Sequence, residues 1–140
     1  MIEVEIEISG KHKSVTRNAV IDTGFTGGLL LPQSIARSVG AILVKPRRLP
    51  RTVDGRKIPG LSTILRIAVE AADVEAETIV FCPDATTRHT LLGAFFLAQT
   101  HGSIHLGDME YEFLMPNPNL DPYDLGDMVI PLDRPEGPWL

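Results

Sequence analysis

Residues 2–8 alternate between apolar and acidic side chains with a period of two. This alternation predicts a strand with one buried face and one face in water. Residues 9–12 carry turn chemistry, and residues 13–21 continue as a second strand whose last three positions are all apolar. The pattern therefore predicts a hairpin whose second strand ends at Asp22-Thr23-Gly24.

Apolar runs and turn residues predict that strands dominate the rest of the chain. Leu29-Leu30-Leu31 indicates a short buried strand, and two segments bounded by glycine, residues 33–39 and 94–100, indicate short helices. Further strands are predicted at residues 41–45, 61–70, 74–81, 103–106 and 109–114. About ten strands with two short helices predict an all-β barrel or sandwich.

Two glycine signals stand out within this framework. Asp54-Gly55 lies between β-capable residues and predicts a tight hairpin with an exposed, polar tip. Leu91-Leu92-Gly93 is a short apolar run that ends in glycine and precedes a helix. It repeats, faintly, the order of strand, glycine and helix that follows Ile21.

The last 25 residues differ in composition from the rest of the chain. They hold six of the eleven prolines and several aspartates. Residues 128–132 fit an edge strand, where proline is tolerated. An irregular wrap or tail is predicted here, and both a role in an interface and a role in covering a cleft remain open.

The composition of the chain mainly excludes classes of protein. A chain of 140 residues with 44% apolar and 22% charged residues is typical of one globular domain. The acidic start does not fit a signal peptide, no apolar run is long enough to span a membrane, and the single cysteine, Cys82, excludes an internal disulfide. These features predict a cytoplasmic protein without a membrane partner.

The net charge of −5 argues against a general nucleic-acid binder, because affinity for phosphate requires accumulated positive charge. Six of the thirteen basic residues nevertheless fall between Lys45 and Lys57. This basic cluster fits a solvated loop face, and it also fits a surface that attracts an acidic ligand or partner.

Asp22 closes an apolar strand, a position where aspartate is uncommon and costly to bury without hydrogen bonds. A hydroxyl at Thr23 and a flexible amide at Gly24 follow it. This combination indicates a carboxylate held in place at a rigid strand end. An ordinary polar turn also fits the tripeptide when it is considered alone.

Three separated features, in this order, resemble the single-domain, retroviral-type aspartic proteases and their bacterial relatives. They are Val20-Ile21-Asp22-Thr23-Gly24 with the leucine run after it, the Asp54-Gly55 hairpin, and Leu91-Leu92-Gly93 with its helix. The resemblance implies a closed, all-β retropepsin-like barrel with one or two short helices, assembled as a two-fold homodimer. It covers residues 1–114 as the domain, and residues 115–140 are predicted to be a Pro-rich extension packed on or near it.

The resemblance also implies roles for individual residues. The catalytic group would be Asp22, Thr23 and Gly24. The groups that bind substrate or form a flap would be Phe25, Thr26, Val53, Asp54, Gly55 and Ile58, and the residues that brace the catalytic loop would be Leu91, Leu92 and Gly93. No metal and no cofactor is implied, and the partners would be a second copy of the chain and an extended peptide or unfolded protein.

The chain has one Asp-Thr-Gly, whereas the proposed chemistry needs two carboxyl groups, so a second copy of the chain would have to supply the other. Hydrolysis by this route uses one ionised carboxylate and one protonated carboxyl. Two carboxylates about 3 Å apart across a dimer axis would share a proton. The alternative from another class is a catalytically silent, dimeric β-barrel module that binds peptides without cleaving them, with Phe25 filling the space of the attacking water.

Two other pairs of residues are considered as possible metal or catalytic sites. His101 and His105 have the spacing of a helical zinc face, but Gly102 and the strand pattern after it argue against a helix there. Cys82 and His89 would form a thiol and base without any third group to orient the base. Neither pair is predicted to be a site.

Overall fold

The computed structural model describes residues 2–85, 87, 89–100, 103–106, 109–112 and 120–131, with side chains excepted in residues 103–112. This part of the chain contains ten strands and two α-helices. The strands are β1 (Ile2–Ser9), β2 (Ser14–Ile21), β3 (Leu29–Leu30), β4 (Arg51–Thr52), β5 (Gly60–Val69), β6 (Val74–Pro83), β7 (Thr90–Leu92), β8 (Ser103–Leu106), β9 (Met109–Glu112) and β10 (Val129–Ile130). The helices are α1 (Gln33–Ser38) and α2 (Ala94–Gln99).

Six strands close into a barrel in the order β1-β2-β7-β3-β6-β5. The predicted first hairpin is confirmed, since β1 and β2 pair in antiparallel fashion from Ile2 opposite Ile21 to Ser9 opposite Ser14. β5 and β6 form the longest hairpin. Because β1 also pairs with β5, the sheet has no free edge at that point. The prediction of an all-β barrel with two short helices is therefore confirmed.

The alternation of β1 explains the main core. Val4, Ile6 and Ile8 are buried, whereas Glu3 and Glu5 are exposed. A first hydrophobic cluster fills the barrel with side chains from every long strand and from both helices. Burial of one face of each strand is the main favourable term that holds such a barrel closed.

We call residues 22–28, which connect β2 to β3, the Asp22 loop. A second hydrophobic cluster contains Phe25 of this loop. It joins residues of the barrel strands and α2 to residues that follow β9 in the sequence. Its buried members are Val20, Phe25, Leu30, Ile58, Ile79, Phe81, Leu91, Phe95, Leu125, Met128 and Ile130. Phe25 and Ile58, which the resemblance assigns to substrate binding, and Leu91 of the bracing run all belong to this cluster.

The strand predicted at residues 41–45 is wrong. Only Val44 makes a β-bridge, to Ser62, and Ile42 is 74% exposed. The segment lies between Gly40, whose φ of 90° ends α1, and Pro46, which has no amide to donate. Too few residues remain between these two breaks for a ladder to extend.

The histidine pair and the proposed domain division fall partly outside the described residues. His105 lies in strand β8, whereas His101 is outside the described residues. Within the described residues no cluster of three or more potential metal ligands occurs, and none of the helices has the length and apolar character needed to cross a membrane. The division into residues 1–114 and 115–140 stays a prediction, because residues 113–119 and 132–140 are outside the described part.

Candidate active site

Asp22 is the first residue after β2, and its backbone is fixed from two sides. Its amide donates a hydrogen bond to the carbonyl oxygen of Leu92 at 3.0 Å, and its own carbonyl accepts one from the amide of Phe25 at 3.1 Å. The first bond continues the parallel pairing of β2 with β7, and the second closes a tight turn. The carboxylate therefore sits on a rigid mount, as expected for a strand end inside a closed barrel.

Asp22 is only 4% exposed, while the next two residues, Thr23 and Gly24, are exposed. The Gly24 amide donates a hydrogen bond to Oδ1 of Asp22 at 3.0 Å. Bonds from a backbone amide to a carboxylate are among the stronger ones. A Cβ atom at position 24 would lie 3.2 Å from Oδ1, so glycine allows the turn to fold closely over the carboxylate.

Phe25 is fully buried in the second cluster. Its ring lies against two glycines: a Cβ atom at Gly27 would be 2.7 Å from Cζ of Phe25, and one at Gly93 would be 2.6 Å from Cδ2. The ring therefore packs on the inner side of the loop that follows the carboxylate. A large side chain is accommodated here because the two facing positions have no side chain.

Leu92 and Gly93 lie directly against the Asp22 loop. Three successive amides at the start of α2 donate to carbonyls of that loop, from Gly93 to Gly28 at 2.8 Å, from Ala94 to Phe25 at 2.9 Å and from Phe95 to Gly27 at 3.1 Å. Leu91 and Leu92 are buried and pair with β2 on one side and β3 on the other. The structure thus brings the two glycine-terminated strands of the sequence pattern together.

The Asp54-Gly55 hairpin has the predicted tight turn and exposed tip. The Gly55 amide donates to the carbonyl oxygen of Thr52 at 3.0 Å, and Gly55 has a φ of 90°. A hydrogen bond from the Thr52 hydroxyl, together with Arg56, lowers the pKa of the Asp54 carboxyl. Val53 at the tip is 70% exposed, whereas Ile58 at the base is buried in the second cluster.

Strand β10 connects this hairpin to the Asp22 loop. It pairs in parallel with β4, with Val129 opposite Arg51. On its other edge, the Thr26 amide donates to the carbonyl of Val129 at 3.0 Å, and the Val129 amide donates to Oγ1 of Thr26 at 2.8 Å. Thr26 therefore contacts one edge of β10, and strand β4 at the base of the hairpin contacts the other edge. Strand β10 thus lies between the Asp22 loop and the hairpin.

Cys82 does not have the properties of a nucleophile. It is buried in β6, and burial raises the pKa of its thiol to about 12. The thiol is therefore protonated at ordinary pH and a poor nucleophile. The thiol and base pair considered from the sequence is not supported by this environment.

The closed six-stranded barrel, with its two glycine-terminated loops in contact, has the fold of a solved retroviral protease. The EIAV protease, solved in complex with the inhibitor HBY-793, shares this fold with a TM-score of 0.55. The two sequences are 17% identical, and the similarity covers 75% of this chain and 92% of that protease. No protein-family model and no curated protein matches the sequence. The similarity is one of fold, and the link to bacterial relatives stays a prediction.

Proposed function

We propose that the chain is a homodimeric aspartic endopeptidase in which the Asp22 carboxylates of two copies form the catalytic pair. The observation that carries this proposal is the buried carboxylate of Asp22, held by the Gly24 amide at the exposed end of a barrel strand. The shared fold with a retroviral protease supports it. Fold alone does not define an activity, so the weight rests on the carboxylate and its setting.

Dimerisation follows from the need for two carboxyl groups. Thr23 and Gly24 are exposed in the single chain and lie directly beside a nearly buried carboxylate. A two-fold axis near this turn would place the two Asp22 side chains together and would cover both threonines. The Thr23 hydroxyl would then hydrogen bond across the interface, where an unsatisfied hydroxyl would be costly.

In the proposed mechanism the pair shares one proton. The ionised carboxylate takes a proton from a water molecule while the water oxygen bonds to the peptide carbonyl carbon, and the protonated carboxyl donates its proton to the carbonyl oxygen. The tetrahedral intermediate then collapses: the first carboxyl gives the proton it took from water to the leaving nitrogen, the second carboxylate takes a proton from a hydroxyl of the intermediate, and the C–N bond breaks. No metal or other cofactor takes part in these steps.

The substrate would be an extended peptide or an unfolded protein. Backbone groups of the loop at Thr26 and of the hairpin strand β4 would bind such a segment by strand addition. The hairpin with Val53, Asp54 and Gly55 at its tip would act as the flap that closes over it. Side chains of the second cluster, including Phe25 and Ile58, would form the floor of the pockets.

The test compares the wild-type protein with Asp22→Asn on an unfolded protein and a peptide library at several values between about pH 4 and pH 7, because activity that needs a shared proton varies with pH. We expect Asp22→Asn to lose activity by about a thousandfold or more, because general acid–base catalysis is removed. Asp73→Asn is the matched control, since Asp73 lies in the exposed turn between β5 and β6. Equal activity of wild type and Asp22→Asn would refute the proposal.

The second candidate is a dimeric module that binds extended segments without cleaving them. Strand β10 favours it, because an extended segment is already bound by backbone hydrogen bonds between Thr26 and β4. This candidate predicts stoichiometric binding that leaves the peptide intact and that is the same in Asp22→Asn. Mass spectrometry of the recovered peptide distinguishes the two functions.

A further inference from the structure

Both backbone edges of β10 are engaged. In an extended strand the amide and carbonyl of one residue point to one edge, and those of its neighbours point to the other edge. Val129 exchanges two hydrogen bonds with Thr26, and the neighbouring Met128 carbonyl accepts one from the Arg51 amide at 3.0 Å. One edge therefore faces the loop after Asp22 and the other faces the hairpin. This is how a protein binds a peptide by strand addition.

The side chains of the same segment fill the floor of the candidate site. Leu125, Met128 and Ile130 are fully buried and belong to the second cluster. They share that cluster with Phe25 and Ile58, which are the residues predicted to line the substrate groove. Met128 and Ile130 are two positions apart and therefore lie on one face of the strand.

The basic cluster binds the beginning of this segment. Nε of Arg48 lies 2.7 Å from Oδ1 of Asp124, and a guanidinium nitrogen of Arg47 lies 3.8 Å from Oδ2 of Asp121. The amide of Leu125 also donates to the carbonyl of Arg48 at 2.9 Å. The hydrogen bond and charge of Arg48 lower the pKa of Asp124. Two arginines of the basic cluster, Arg47 and Arg48, thus have acidic partners within the same chain.

The far end of the segment reaches the catalytic turn. A Cβ atom at Gly24 would lie 3.9 Å from Cβ of Pro131, so Pro131 is in near contact with the residue that holds the Asp22 carboxylate. The segment thus runs from the basic cluster, past the hairpin, to the mouth of the candidate site. We define residues 120–131 as the C-terminal strap.

We propose that the C-terminal strap is a pseudosubstrate, which occupies the peptide groove between the Asp22 loop and the hairpin and has the chemistry of the peptides that the groove accepts. That class consists of extended segments with large apolar side chains at two alternate positions and acidic residues on their amino-terminal side. The inference rests on the proposed function for the identity of the groove. A substrate must displace the strap before it reaches Asp22.

Displacement has a measurable effect on affinity. If only a fraction of the molecules has an open groove, the apparent affinity for a peptide falls by that fraction. Changes that hold the strap in place must therefore weaken binding of an external peptide. Changes that loosen the strap must strengthen it.

The main experiment locks the strap with a reversible cross-link. Arg51→Cys with Val129→Cys places two thiols at registered positions of β4 and β10. Glu5→Cys with Asn18→Cys does the same at exposed, registered positions of β1 and β2 and is the matched control. The native thiol, Cys82, is buried and stays out of the exchange.

The probe is a fluorescein-labelled synthetic peptide with the sequence of residues 120–131, and binding is measured by fluorescence anisotropy. We expect the oxidised Arg51→Cys/Val129→Cys protein to bind the probe at least about tenfold more weakly than the same protein after reduction. The control pair should bind equally in both states. A probe in which the strap aspartates are replaced by asparagine should bind more weakly than the original. Equal binding of the original probe to the oxidised and reduced strap pair would overturn the inference.

A second variant keeps the inference testable if the cysteine pair fails to fold. Asp121→Asn with Asp124→Asn removes the ion pairs that Arg47 and Arg48 make with these two strap residues and leaves the residues of the groove unchanged. We expect this variant to bind the probe several-fold more tightly than the wild type, while Asp73→Asn binds it as the wild type does. Unchanged or weaker binding in the double variant would overturn the inference.

These measurements separate the two proposals because binding does not require cleavage. If the cross-link controls peptide binding but no peptide is cut, the strap inference stands and the proposed catalysis fails. If Asp22-dependent cleavage proceeds equally in the oxidised and reduced proteins, the catalysis stands and the strap inference fails.

Discussion

At the scale of single residues, the site depends on which side chains are absent as much as on those present. Phe25 fits behind the carboxylate loop because Gly27 and Gly93 face its ring. Gly24 allows its own amide to reach Asp22. In each case the missing Cβ atom allows a close approach that the loop needs. The loop is therefore sensitive to changes that add even one carbon atom.

Gly93→Ala tests this sensitivity. The added Cβ atom would clash with the carbonyl oxygen of Gly27 and with the ring of Phe25, and a backbone oxygen in a barrel cannot move aside easily. We expect a loss of at least about 2 kcal/mol in the free energy of unfolding, measured by chemical denaturation. Gly55→Ala is the comparison, because no atom lies within 4 Å of a Cβ there and only its positive φ, with a cost of about 1 kcal/mol, opposes the change. Equal losses in the two variants would contradict this account.

The thiol of Cys82 gives a second prediction at this scale. Its pKa is raised to about 12, so the reactive thiolate is nearly absent at pH 8 and forms only as the pH approaches that value. We expect the native protein not to react with a thiol reagent at pH 8 and to react once denaturant unfolds it. Ser38→Cys adds an exposed thiol on α1 as the control, which should react at once. Labelling of native Cys82 at the rate of the control thiol would show that β6 opens readily.

At the scale of elements, local patterns and distant contacts differ in how well the sequence predicts them. The hairpin of β1 and β2 and the hairpin of β5 and β6 follow from alternation and turn residues, both of which are local. The isolated bridge of Val44 could not be predicted in the same way, because it depends on Ser62, which lies in β5 and is distant in sequence. The segment around residue 129 had the pattern of an edge strand, but its partner Thr26 is 103 residues away.

The candidate site shows the same division. The order of Asp22-Thr23-Gly24 and Leu91-Leu92-Gly93 indicates two similar loops, and the structure brings Leu92 and Gly93 against the Asp22 loop. No local pattern indicates the contacts of the strap with Thr26 and with β4. They arise from charges on two distant loops and from buried side chains whose partners are set only by the closed barrel.

The bond between Thr26 and β10 gives a prediction for the strap. Thr26→Val keeps the shape of the side chain but removes the oxygen that accepts the Val129 amide. We expect the free energy of unfolding to fall by about 1 kcal/mol and hydrogen exchange of the Val129 amide to become faster, because that amide loses its partner. Thr26→Ser, which keeps the oxygen, should exchange as the wild type does. Thr16→Val on the exposed face of β2 controls for the loss of a hydroxyl.

At the scale of the whole molecule, the single chain would supply half of the proposed catalytic site. Within the described residues, Asp22 is the buried acidic residue, β7 pairs with β2 beside it, and the strap lies between the Asp22 loop and the Asp54-Gly55 hairpin. A second copy would supply the other carboxylate, and release of the strap would open the groove. The proposed activity thus depends on two separate equilibria, association of the chains and displacement of the strap, and each can be changed without the other.

Association is tested at Thr23, which is exposed beside the buried carboxylate in the single chain. In the proposed dimer its hydroxyl is paired across the axis, so Thr23→Val would leave a partner group unsatisfied, whereas Thr23→Ser would keep the bond. We expect Thr23→Val to raise the dimer dissociation constant by about fivefold or more, from a cost of about 1–3 kcal/mol, and Thr23→Ser to change it far less. Sedimentation equilibrium over a range of protein concentrations measures both. Thr16→Val, exposed on β2 and outside the proposed interface, should leave association unchanged, and a dissociation constant that is equal in Thr23→Val and wild type would mean that the two chains do not meet at this turn.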